Sequence, residues 1–122
     1  MASSSSKIVC LLLILSLALP GTLATKYEVC DNEGWTVGVN IAAWLLPKII
    51  HVGDSFRNFK SPHTVAVVDE IGYLTCDASK AEVNDVSGSF SFTFTKTGIY
   101  SFISAGAGDC LVAGLKMQVI VL

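Results

Sequence analysis

The chain has 122 residues, with eight Lys and Arg against ten Asp and Glu, a formal net charge of −2, and 52% hydrophobic side chains. This length holds one domain, and basic residues scattered singly under an acidic balance argue against nucleic acid, which requires a clustered basic face. Two histidines and no Gly-x-Ser-x-Gly frame make a poor inventory for a hydrolytic or group-transfer enzyme, so catalysis is not expected.

Lys7 precedes Ile8 to Leu19, an uncharged run broken only by Ser16. The run is short for a bilayer span and has the form of a signal-peptide core. Pro20 and Gly21 end any helix there, and Thr22 and Ala24 are small residues three and one before a cut. Residues 1–24 are therefore read as a signal peptide and 25–122 as the mature domain, beginning at Thr25. That domain has 98 residues, with seven basic and ten acidic side chains and a formal charge of −3. Cys10 leaves with the leader. Cys30, Cys76 and Cys110 then reach an oxidising compartment, where one pair can bridge and one is left over. Their spacing is not that of a zinc site, and no Asn-x-Ser/Thr sequence offers a glycan acceptor.

Beyond residue 25 the period is that of strands. In 89–95, Phe90, Phe92 and Phe94 alternate with Ser and Thr, and in the terminal segment Leu115, Met117, Val119 and Val121 alternate with Lys116 and Gln118. Further strands are expected over residues 26–30, 35–39, 48–52, 55–59, 63–68 and 99–104, with a helical turn over 79–86. Glycines, Gly72 among them, punctuate turns or bulges. Asp69-Glu70 is read as a solvated turn rather than an acid/base dyad, and Trp35 and Trp44 as core anchors. Seven or eight short strands in a domain of this size predict an all-β Greek-key β-sandwich.

Gly34-Trp35, Ile50-His51-Val52-Gly53-Asp54, His63-Thr64-Val65, Tyr73 with Cys76, and Gly108-Asp109-Cys110 followed by Gly114-Leu115-Lys116 come in the order of the landmarks of one family. The chain resembles the phytocyanins, plant blue-copper-like extracellular proteins of cupredoxin fold, over essentially the whole mature domain. The resemblance implies a cupredoxin-like sandwich and a structural disulfide between Cys76 and Cys110. It also implies four copper-ligand positions. His63 matches the first imidazole, but Ser104 stands where the thiolate belongs, Asp109 where the second imidazole belongs and Leu115 at the axial position.

A blue-copper centre needs two imidazoles and a thiolate in a trigonal plane with a weak axial donor. With His63 alone retained, the chain is similar to the early-nodulin-like members that lack copper ligands, and Ser104, Asp109 and Leu115 are not expected to bind metal. No cofactor is expected; copper in an extracellular electron carrier is the family alternative, with Cys30 as a conceivable extra ligand. An isolated His63 reads as a packed or rim histidine and His51 as a structural or surface residue. With neither a Pro-rich spacer nor a hydrophobic tail by Leu122, no GPI-anchor signal and no transmembrane span are expected. The protein is expected to be secreted, to the apoplast or the outer face of the plasma membrane, and to meet an extracellular or cell-wall glycan or protein.

Overall fold

In the computed structural model, which describes residues 24–57, 59, 63–87 and 89–122, the alternating segments become strands of two sheets. The leader read over residues 1–24 lies, apart from Ala24, outside the described residues. In chain order the elements are β1 (Lys26–Glu28), α1 (Ile41–Leu45), β2 (Ser55–Arg57), β3 (Val65–Val68), α2 (Glu70–Thr75), β4 (Val83–Asp85), β5 (Ser91–Thr93), β6 (Gly98–Ile103) and β7 (Lys116–Val121). One sheet has the order β1-β2-β5, with β1 parallel to β2. The other has the order β4-β3-β6-β7 and is antiparallel throughout. The chain passes repeatedly between the sheets, and the seven strands among the described residues fall within the seven or eight expected.

Large apolar side chains from strands and loops alike point inward. Trp35, Phe56, Phe59, Phe94 and Phe102 are fully buried, and the Phe56 ring meets Phe94 edge-on with centroids 4.9 Å apart. Burying one such side chain stabilises the fold by about 1.5–3 kcal/mol. On β3 the period of two divides the residues: Val65 and Val67 join this core, while Ala66 and Val68 join a smaller cluster with Ile103 and Cys110.

That second cluster carries α2. Asp69 is its N-cap, the carboxylate accepting Gly72 N–H at 2.8 Å, so Asp69-Glu70 opens a helix instead of forming a turn. Gly72 is a close approach within that helix, because a Cβ there would lie 2.8 Å from both Val68 Cβ and the Asp77 carbonyl oxygen. The helix ends at Cys76 in the left-handed conformation (φ 55°, ψ 43°), and Cys76 is bridged to Cys110 with the Cα atoms 5.7 Å apart.

Other expectations need correction. Residues 35–39 form a loop anchored by Trp35, whose indole is fully buried and whose backbone N–H donates to the Phe59 carbonyl at 2.6 Å, outside the strands of the described residues. Of 48–52 only Ile50 pairs, as an isolated bridge to Val121, and α1 fills the preceding stretch with Ile41 and Trp44 buried. Within 79–86 the expected helical turn is replaced by β4, which β3 recruits by pairing Val65 with Asp85 and Val67 with Val83.

Candidate functional site

Antiparallel register brings three chain segments to one end of the four-stranded sheet. Ala66 pairs with Ile103 and Ile103 with Lys116. The segment before β3, the segment after β6 and the segment before β7 therefore meet, and they carry His63, Ser104 and Leu115. The loop between β6 and β7 folds back to add Asp109.

Hydrogen bonds join these four positions. His63 Nδ1 and Ser104 Oγ both donate to Asp109 Oδ2, each at 2.8 Å. A carboxylate oxygen can only accept, so the Nδ1 position of His63 carries the proton. Backbone bonds complete the frame: Leu115 N–H donates to Asp109 O at 2.8 Å and Ser104 N–H to Leu115 O at 3.1 Å. Ser104 and Leu115 are buried, at 1% and 2% exposure, while His63 and Asp109 keep about a fifth of their side-chain surface, at 19% and 18%.

Two residues outside the expected set hold the loops. Thr64 Oγ1 accepts Ala105 N–H at 2.6 Å, and Thr64 O accepts the Trp35 indole N–H at 2.9 Å. Trp35 is thus both core anchor and support for the segment bearing His63, a pairing across 29 residues that no sequence pattern announces. Gly106 is the third support, since a Cβ there would collide with Asp109 Oδ2.

The chemistry of the cluster follows from its donors. The His63 hydrogen bond, and then that of Ser104, hold the Asp109 carboxyl below the usual carboxylate range. It is no Ser-His-Asp relay, because the Ser104 hydroxyl donates to the carboxylate and not to the imidazole. The donors do not fit a blue-copper centre either: one imidazole, a carboxylate, a hydroxyl and an aliphatic side chain supply neither the second imidazole nor the thiolate. Among the described residues no group of three or more His, Cys, Asp or Glu side chains is arranged around a metal position. Cys30 is buried in the main core and lines a cleft of about 490 Å³ with Asp31, Glu33 and Trp44. Burial first, then Asp31 and Glu33, pushes its thiol up to about 11, so Cys30 stays protonated at neutral pH. His51 is largely exposed beside Asp54.

Known proteins share this arrangement of strands and loops. The family model of the plastocyanin-like domain matches residues 35–114. Uclacyanin-3 of Arabidopsis thaliana is 34% identical over 96% of this chain and 53% of its own length. A blue copper protein of Pisum sativum is 35% identical over 98% of this chain and 64% of its own. Early nodulin-like proteins are among the relatives at lower identity. Cucumber basic protein, a blue copper protein, superposes with a TM-score of 0.70 at 30% identity, covering 80% of this chain and all of that one. The fold is that of the cupredoxins. The chain belongs to the plastocyanin-like domain family, on its phytocyanin branch. It spans about half to two thirds of the length of the curated relatives named here. Among the described residues no helix is long and apolar enough to cross a membrane.

Proposed function

We propose that this chain is an extracellular interaction or structural module with a degenerate copper site, neither redox active nor an enzyme. The hydrogen-bonded cluster of His63, Asp109 and Ser104 carries this reading. The Asp109 carboxylate already engages His63 Nδ1 and the Ser104 hydroxyl, each at 2.8 Å, so the loops that a copper ion would tie together are tied by hydrogen bonds. Hard oxygen donors and a single imidazole are a poor set for copper(I), which favours soft ligands. The leader pattern and the Cys76–Cys110 bridge support export to an oxidising compartment, where a glycan or protein partner would be met.

The test is a copper(II) titration of the purified protein, followed by visible absorption and metal analysis. No intense thiolate-to-copper band is expected. Stoichiometric copper with such a band would overturn the reading in favour of an electron carrier.

A further inference from the structure

Asp54 is buried at 3% exposure just before β2, and its carboxylate faces the start of the described chain. Oδ1 accepts Thr25 N–H at 2.8 Å and Oδ2 accepts His51 N–H at 2.9 Å. The backbone around Asp54 is fixed as well. Its amide donates to His51 O at 3.0 Å, its carbonyl accepts Phe94 N–H at 2.9 Å, and Ser55 N–H donates to Thr25 O at 2.9 Å. The parallel pairing of Lys26 with Ser55 thus seats the Thr25 nitrogen on the carboxylate. Among the described residues the ionisable side chain paired with Asp54 is His51, whose Nδ1 lies 3.9 Å from Oδ2 on a side chain that is 63% exposed. Peptide amides are neutral dipoles, and a buried carboxylate is better compensated by an opposite charge.

We infer that hydrolysis of the Ala24–Thr25 peptide bond converts this contact into an ion pair, the new α-ammonium of Thr25 being captured by Asp54 so that removal of the leader locks the fold. The inference rests on the export reading above. A sequence expectation and a structural observation meet at one atom: the small residues Thr22 and Ala24 form the pattern read for a cut before residue 25, and the fold seats the nitrogen of residue 25 on a buried carboxylate. In the cleavage, water directed by an endopeptidase that reads small residues gives its hydroxyl to the Ala24 carbonyl carbon as the C–N bond breaks. The Thr25 nitrogen leaves with the proton from water and takes another from solvent to become an ammonium. Nothing has to move, because that nitrogen already sits at hydrogen-bond distance. A cut one residue later would remove Thr25 and leave Oδ1 without this donor.

The experiment uses the full 122-residue chain expressed in a secreting host. N-terminal sequencing of the secreted protein should give Thr25. Its α-amine, followed by NMR, should titrate above the ordinary 7.7–8.0 and return to that range in Asp54→Asn. Blocking the amine by acetylation should lower the melting temperature by about 4 °C or more, with no further loss in Asp54→Asn. The stabilisation is present below the ordinary amine pKa and lost as pH rises through the raised one. If Asp54→Asn does not fold, titration and acetylation of the native protein decide. An exported chain starting at Thr25 whose amine titrates ordinarily and tolerates acetylation overturns the ion pair and leaves the export reading standing. A chain that keeps its leader overturns both.

Discussion

His63 and Asp109, 46 residues apart in sequence, are joined by a 2.8 Å hydrogen bond from Nδ1 to Oδ2. The bond ties together two loops at one end of the four-stranded sheet, and Ser104 shares its acceptor. Its energetic role is testable. Asp109→Asn keeps the shape and removes the charge, and should cost about 1–3 kcal/mol at neutral pH, or about 4–8 °C of melting temperature per kcal/mol. Because the Asp109 carboxyl is held down in the folded state, its contribution is full above the unfolded value near 3.9 and is lost as pH falls through the lower folded value. Melting curves of both proteins between neutral and acid pH should therefore converge below about pH 4. A gap that stays constant into strong acid would refute the ionised-acceptor account.

Gly106→Ala probes the same bond without touching its chemistry. The added methyl collides with Asp109 Oδ2, so it should push the carboxylate off His63 at a cost of about 1–3 kcal/mol. Combined with Asp109→Asn, the double variant should lose clearly less than the sum of the two, since both act on one contact. Strict additivity in denaturant titrations would show that Gly106 matters for some other reason.

The legible parts of this fold were those written in period two. Phe92 and Phe94, and Met117, Val119 and Val121, sit where alternation puts them. The helices were harder to see because α1 and α2 have only five and six residues, less than two turns each, too short to display a helical period. Asp69 did carry a cap signal ahead of Glu70, but Gly72 disguised it. The β4 strand is a tertiary decision: Val83 and Asp85 extend because β3 offers a ladder to pair with, which local propensity does not report. The positions around the candidate site were legible only through family landmarks. Their hydrogen bonds were not, since an Asp at an imidazole position carries no sign in the sequence of accepting from His63 and Ser104 across the loops.

The Cys76–Cys110 bridge closes a loop of 34 residues in sequence and pins α2 beside the segment holding Asp109. Replacing both cysteines with Ala should cost roughly 3–4 kcal/mol on the chain-entropy account, a large share of the 5–15 kcal/mol typical of a small domain. Chemical denaturation measures that loss, and peptide mapping without reduction checks the pairing. Recovery of Cys30 in a bridge with either partner would contradict the fold described, in which Cys30 is a buried free thiol in the main core.

Restoring copper donors tests how closely the loops keep the family's geometry. Ser104→Cys alone gives one thiolate beside His63, and Asp109→His alone gives a second imidazole without the thiolate, so neither single change completes a trigonal set. Together they place two imidazoles and a thiolate at positions that the backbone already holds near one another, with Ser104 N–H bonded to Leu115 O at 3.1 Å and Leu115 N–H to Asp109 O at 2.8 Å. Leu115 supplies no axial donor, but that bond is long and weak in such centres. The double variant should therefore take up copper(II) and turn blue or green while each single variant stays pale. Equal colour in the Ser104→Cys protein alone would mean that His63 and the thiolate suffice with an unforeseen third donor. A double variant that folds, by its melting curve, but binds no copper would mean that the hydrogen-bonded loops have drifted away from a metal-binding arrangement.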